Sequence, residues 1–295
     1  MHPKITAYLQ LARLSNIPTV FSNVLVGFTI AEWIDPFPFP WADLWLPLFV
    51  ASTLYVGGMA LNDLLDRHID AKERPQRPIP SGRLSVREVT VFTALCFIVP
   101  LAVTAFLMPG ATAYAMALAL SIIAYDVLHK RWSPSLIFMG LCRALVYALA
   151  ASMYTGDEKA PVYIVTVAIV GSILASYIIG LTVIAQKEVQ GGLGFRRWLA
   201  VSMMGLPFLV LLGYKTEYPL WTLATGIALF LWLARSARFI RLEPPKVVPA
   251  VLGWLAGISL IDAFFLTFTL RPELSLVAFG CFAVTVWGHR KIAGT

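Results

Sequence analysis

The stretch "NDLLDRHIDAKERPQRPIPSG", residues 62–82, closes a long apolar run and decides how the rest of the chain is read. At 100° per residue, Asn62, Asp63, Asp66 and Asp70 fall within an arc of about 100° on a helix. One face therefore offers an amide oxygen and several carboxylates. Left alone, those carboxylates repel one another; a divalent cation removes the repulsion. Hard oxygen donors suit Mg²⁺, which keeps several waters and binds through one or two carboxylates together with substrate phosphates. The basic segment just beyond fits that use. Arg74, Arg77 and Arg83 can hold phosphate oxygens, a guanidinium doing so in bidentate fashion. Pro75, Pro78 and Pro80 stiffen this loop and Gly82 permits a tight turn. A solvated helix end followed by an ordinary basic loop would explain a lone Asp-x₃-Asp, but not the whole string.

Working outward, the surroundings are far too apolar for a soluble domain. Of 295 residues, 59% are hydrophobic and 13% charged, and the mean hydropathy is +0.77; soluble domains carry about 25% charged residues. A helix of roughly 20 apolar residues crosses a bilayer core, and open sheet edges cannot be satisfied in lipid. The expected fold is all-α and integral to the membrane, a single polytopic domain over residues 1–295. Candidate spans lie near 17–34, 43–65, 86–108, 110–128, 134–154, 161–186, 197–214, 218–236, 248–269 and 272–288, the last at the lower limit of length. The start, "MHPKITAYLQLARLSNIP", has no cleavage pattern and reads as an amphipathic lead-in to the first span. Cys96, Cys142 and Cys281 sit in apolar segments without ligand or redox spacing and read as packed thiols.

Basic residues set the expected orientation. With the N-terminus inside, every Lys and Arg falls in inner segments except Lys159, Lys215 and Arg271 in outer loops and Arg143 within a span. This is the positive-inside pattern; it predicts a multi-pass protein of the inner, cytoplasmic membrane if bacterial, with the loop after Asp70 on the cytoplasmic side. The net charge of +7 then reflects topology. A nucleic-acid partner is excluded, because the charge is dispersed over loops and no binding module is present. A secondary transporter ranks low, since no pair of broken helices at the midplane is evident.

The string at 62–82 resembles the first aspartate-rich motif and following loop of the UbiA superfamily of intramembrane prenyltransferases. "AYDVLHKRWSP" (124–134) resembles that family's Tyr-x₄-Lys-Arg stretch, and "LARLSNIPTVFSNVLVG" (11–27) its entry to the first span; the UbiA-like EboC group is the subgroup it most suggests. The resemblance implies a bundle of about nine to ten transmembrane helices around a central cavity, with Mg²⁺ as cofactor. It also implies transfer of a prenyl group from a prenyl diphosphate to an aromatic or other lipophilic acceptor. By the same resemblance Asn62, Asp63, Asp66 and Asp70 form the first metal site and Arg77 closes over the diphosphate. Tyr125 lies beside the reacting end, and Lys130, with Arg131, contacts the diphosphate; Arg13 and Arg74 complete the substrate contacts. Taken alone, Lys130 and Arg131 read as ordinary inner-loop residues. The chemistry agrees. Mg²⁺ and Lys or Arg neutralise the charge growing on the leaving diphosphate, and aromatic faces favour an allylic cation.

The chain departs from the family pattern at the end of the sixth span. There, where a second set of aspartates is expected, "GLTVIAQKEVQGGLG" (180–194) offers Gln186, Lys187 and Glu188. Glu188 is the one carboxylate left for a second metal, and Lys187 is expected to take the place of the missing cation as a compact point charge. Either one metal site suffices, or the protein binds isoprenoid lipids without transferring them. Two ionisable residues also sit deep within spans, Arg143 and Asp262. A charge there costs at least about 2.5–3.5 kcal/mol and marks a cavity or a buried partner. The two either pair with each other or with backbone carbonyls, or Arg143 points into the cavity and orients an acidic or hydroxylated acceptor.

Overall fold

The computed structural model describes residues 3–36, 41–129, 133–153, 160–187, 196–242 and 246–291. Among them every regular element is helical. A short α1 (Pro3–Leu11) leads into α2 (Ile17–Ile34), α3 (Trp45–Glu73), α4 (Val86–Leu107), α5 (Thr112–Leu128), α6 (Leu136–Ala151) and α7 (Ala160–Lys187). There follow α8 (Arg196–Gly205), the four-residue α9 (Val210–Gly213), α10 (Pro219–Arg238), α11 (Val247–Leu266) and α12 (Leu274–Lys291). Seven helical stretches are long and apolar enough to cross a membrane; α6 and residues 199–213 are shorter apolar segments.

α12, over the span expected at 272–288, is not among those seven; the other helices coincide with the remaining candidate spans, with two differences. The span expected at 197–214 is broken: Pro207, which lacks an N–H and cannot continue the α-helical ladder, sits in a 3₁₀ turn, Leu206–Leu209, between α8 and α9. Second, α3 does not stop at residue 65 but runs 29 residues to Glu73. The aspartate-rich string is therefore carried on one continuous helix that projects beyond the apolar run. α12 returns to the end where α2 begins, since His289 Nε2 lies 2.7 Å from Asn16 Oδ1.

The bundle is organised around α2, whose side chains are buried on almost every side from Thr19 to Glu32. It lies against α6, α11 and α12. Backbones approach closely where small residues meet, the usual solution for helices packing in lipid: a Cβ placed on Gly27 would lie 2.5 Å from the Tyr147 carbonyl oxygen of α6, and one on Gly140 would lie 2.8 Å from that of Ala175 on α7. A smaller apolar cluster forms a cap at the end where α3 projects. Ala7 and Leu11 of α1, Ala60 and Leu64 of α3, and Ile79 and Leu84 of the loop close over one another. Gly82, at φ +73°, makes the turn within that loop, and a capping box between Ser85 and Glu88 starts α4.

Candidate active site

The cap covers a cavity of about 290 Å³ whose walls come from α2, α3, α5, α6, α7 and α11. Most of its lining is aliphatic, including Val20, Leu118, Ile122, Val146, Leu181 and Ile258. Polar groups enter at Arg13, Asn16, Tyr55, Tyr125, Asp126 and Arg143. An apolar chamber with a few convergent polar groups is the usual form of a small-molecule site.

At the cap end, the aspartate-rich face of α3 is held by cations of the same chain. Arg77 Nη1 donates to Asp70 Oδ2 at 2.7 Å and to Asp63 Oδ1 at 3.1 Å. Both carboxylates are buried. The loop thus folds back onto the helix it follows, one guanidinium serving two acids seven residues apart on α3. Arg13 approaches the same face from the α1–α2 break. Its backbone is left-handed, φ 44° and ψ 50°, a conformation in which a residue with a Cβ is strained. That geometry delivers its guanidinium to Met59 Sδ at 3.3 Å and to Asn62 Oδ1 and Asp63 Oδ1 at 3.4 Å each. Asp66 faces His129 of α5, with Nε2 to Oδ2 at 4.0 Å, and His129 stacks on Tyr125 with ring centroids 5.1 Å apart.

The oxygen donors of Asn62, Asp63, Asp66 and Asp70 are of the kind Mg²⁺ takes. Among the described residues, however, no three acidic, imidazole or thiol groups converge closely enough to hold a cation unaided. A cation held on this face would need further ligands, of the kind a diphosphate supplies.

Arg143 and Asp262 do not meet directly. Asn23 stands between them, accepting from Arg143 Nη1 through Oδ1 at 2.8 Å and donating through Nδ2 to Asp262 Oδ2 at 2.8 Å. Ser22 and Tyr147 also donate to the Asp262 carboxylate. Asp262 is thus fully enclosed and fully partnered, as a buried charge must be, whereas Arg143 both anchors to this network and lines the cavity, its guanidinium 5.9 Å from the Tyr55 ring centroid. Arg143 is thus linked to Asp262 through Asn23, not paired with it directly, and it also lines the chamber.

Of the residues singled out from sequence, Arg13, Asn62, Asp63, Asp66, Asp70, Arg77, Tyr125 and Arg143 gather at the cavity or its cap. Arg74 caps the C-terminus of α3. Arg83 is engaged within the cap and not offered to a ligand: it donates to Gln10 Oε1 at 2.7 Å, to the Gln76 carbonyl at 2.6 Å and to Ser81 Oγ at 3.0 Å. Lys130, Arg131 and Glu188 lie outside the described residues, and of Lys187 the helical backbone at the end of α7 is described. Sequence reasoning gave no site role to Asp126, Asn16, Tyr55 or Cys142, all cavity-lining. Asp126 was in plain view beside Tyr125, and Asn16 in the polar break before α2; Tyr55 and Cys142 sit in apolar runs with no local signal.

Comparison with known proteins gives this architecture a context. Residues 20–268 match the profile of the UbiA prenyltransferase family. Curated relatives include digeranylgeranylglyceryl phosphate synthase of Sulfolobus acidocaldarius, 30% identical over 177 residues, which are 59% of this chain and 57% of that protein. The enzyme of the same name from Methanopyrus kandleri is 42% identical over 94 residues, 32% of each chain. The chain thus spans little more than half the length of the first relative and a third of the second. Among solved structures, one of digeranylgeranylglyceryl phosphate synthase in membranes superposes with a TM-score of 0.53 at 19% identity, covering 99% of both chains. A UbiA homologue from Archaeoglobus fulgidus bound to GPP and Mg²⁺ gives 0.52 at 16% identity, covering 97% of this chain and 99% of that one. At such identities the likeness is one of fold.

Proposed function

The chain belongs to the UbiA prenyltransferase family, and from that premise we propose that it is a Mg²⁺-dependent intramembrane prenyltransferase that moves a prenyl group from its diphosphate to a lipophilic acceptor. The observation that carries this reading is the juxtaposition of an apolar chamber of about 290 Å³ with an acidic helix face and arginines at one end. A prenyl diphosphate has that polarity: a tail that avoids water and an anionic head. The tail enters the chamber from the bilayer; the head reaches the cap, where Arg13 and Arg77 supply guanidinium donors and Asn62, Asp63, Asp66 and Asp70 supply oxygens for Mg²⁺. When bound, Mg²⁺ neutralises the negative charge that grows on the departing diphosphate. Arg77 must then release at least one carboxylate, exchanging it for phosphate oxygens. Lys130 and Arg131, in the segment after α5, and Lys187 at the end of α7 provide further positive charge. Tyr125, held by its stack on His129, presents an aromatic face at the reacting end, favourable to an allylic cation.

The acceptor enters the same chamber, with Arg143 orienting it by a polar group. The relatives' name denotes a glyceryl phosphate carrying geranylgeranyl groups, which favours a hydroxylated lipid over an aromatic ring. The cap lies at the cytoplasmic face, a reading supported by the positive-inside pattern of the basic residues. A second reading, an isoprenoid-binding component without transferase activity, is favoured by one feature, the replacement of the second aspartate set by Gln186, Lys187 and Glu188. Incubation of membranes containing the protein with tritiated geranylgeranyl diphosphate and Mg²⁺ separates the two. Release of pyrophosphate with transfer of label to a lipid product supports the transferase; saturable Mg²⁺-dependent binding of the label with no product supports the binding component.

A further inference from the structure

Four buried side-chain oxygens lack a hydrogen-bond partner among the described residues: Glu32 Oε2, Ser52 Oγ, Ser135 Oγ and Asp126 Oδ2. Of these residues, Asp126 alone lines the central cavity. Its side chain is 5% exposed, and its other oxygen, Oδ1, accepts one long hydrogen bond from Asn62 Nδ2 at 3.5 Å. The contrast with the neighbouring carboxylates is sharp. Asp262 has Ser22, Asn23 and Tyr147 as donors; Asp63 and Asp70 share Arg77. A buried acid with one oxygen unpartnered is costly to the fold, and a ligand carrying a donor would offset that cost.

We infer that Asp126 is the acceptor-recognition residue of this site: its free oxygen takes the hydrogen bond of the acceptor's attacking hydroxyl, so that the acceptor is a hydroxyl-bearing lipid. The inference rests on the prenyl-transfer reading and deepens it. Geometry favours a hydroxyl over a metal ion as the occupant. Asn62 turns its NH₂ group, a donor, toward Asp126 and its oxygen toward Arg13, so the α3 face and Asp126 do not present a common set of oxygens. Asp126 also follows Tyr125 directly, which puts the hydroxyl beside the residue assigned to the reacting end. In the transfer step the hydroxyl oxygen forms the new C–O bond to C1 of the prenyl group. The C1–O bond to diphosphate breaks with its electron pair leaving on pyrophosphate, and the hydroxyl proton passes along the hydrogen bond to Asp126 and from there to water.

The test uses the full-length protein in nanodiscs, tritiated geranylgeranyl diphosphate with Mg²⁺, and a glyceryl phosphate bearing one geranylgeranyl chain. The same lipid with its free hydroxyl methylated serves as a non-reacting competitor. The parent is expected to bind the hydroxyl form about 10–100-fold more tightly than the methyl ether, the range for a hydrogen bond to a charged group. Asp126→Ala should lose that preference while keeping Mg²⁺-dependent donor binding. Asp126→Asn, of the same shape, should keep part of the preference but turn over at least about 100-fold more slowly; Asp126→Glu should recover part of the turnover, which a folding defect would not allow. Turnover by Asp126→Asn at the parent's rate overturns the inference, as does an Asp126→Ala variant that still discriminates. Loss of donor binding or of its Mg²⁺ dependence in both Ala and Asn variants assigns Asp126 to the metal and also overturns it. A parent that transfers to no hydroxylated lipid but does transfer to a phenol lacking a lipid chain overturns the acceptor class, whereas a parent inactive in every arm overturns prenyl transfer itself.

Discussion

Arg77 gives the sharpest energetic consequence of the cap. Its side chain is 12% exposed, and those of Asp63 and Asp70 are 8% and 6% exposed. Replacing it by Gln leaves two largely buried carboxylates without their common cation, with Arg13 as a distant partner of one of them at 3.4 Å. Breaking a buried pair from one side costs about 3–5 kcal/mol. At roughly 2–4 °C per kcal/mol the lower figure corresponds to a fall of about 6–12 °C in the thermal midpoint. The remedy is also fixed by the geometry. Asp70→Asn in the Arg77→Gln background removes the acid that lost the shorter contact, so it should recover a large part of the fall, although Asp70→Asn alone destabilises. Mg²⁺ should raise the midpoint of Arg77→Gln more than that of the parent, because the carboxylates no longer have a guanidinium to exchange for it. Thermal unfolding in detergent, followed by tryptophan emission with and without Mg²⁺, measures all four quantities. An Arg77→Gln midpoint equal to the parent's, or a second substitution that adds its own loss without recovery, would refute the view that one guanidinium neutralises both acids.

Other consequences follow from single contacts. Asp66→Asn should abolish Mg²⁺-dependent binding of a prenyl diphosphate while leaving the midpoint near the parent's, as measured by filter binding of a labelled donor. With Arg143 in its proposed role toward the acceptor, Arg143→Leu should retain donor binding and lose transfer; it should also lower the midpoint, because Asn23 Oδ1 loses its donor. Gly27→Ala forces a methyl to within 2.5 Å of a backbone oxygen on α6 and should destabilise by about 1–3 kcal/mol, visible as a lower midpoint without any change in Mg²⁺ dependence. A reporter fused after residue 291 should be active on the cytoplasmic side, the side of the cap; activity on the other side would reverse the orientation drawn from the basic loops.

The helices were legible because lipid imposes a simple rule: an apolar run long enough to span must be a helix, and charged loops separate such runs. The aspartate face was legible for a related reason, that three- and four-residue spacings project onto one side of α3 and nothing but a ligand or a counter-cation makes such a face tolerable. What sequence could not carry was pairing at a distance. The tie of Arg77 to Asp63 and Asp70 depends on the loop doubling back, and the relay from Arg143 through Asn23 to Asp262 joins α6, α2 and α11. The break at Pro207 was readable in principle, but an apolar run gives proline little contrast. Asp126 was overlooked because a single acid beside a tyrosine near a helix end reads as solvated, and burial alone reveals that it is not.

The central claim is that prenyl transfer takes place in the chamber beneath the aspartate-bearing end of α3. A photoreactive prenyl diphosphate could also meet a second spacious apolar recess, of about 560 Å³, between residues 208–211 and α10 and lined by Phe208, Leu223, Ile227 and Phe230. Photolysis of the bound analogue followed by peptide mapping discriminates between them. The account predicts Mg²⁺-dependent labelling confined to the chamber walls, at Leu118–Tyr125, Met139–Val146 or Ile178–Ala185, and its loss in Asp66→Asn. Labelling of the recess beside α10, or labelling of any site that is indifferent to Mg²⁺ and to Asp66→Asn, would contradict it.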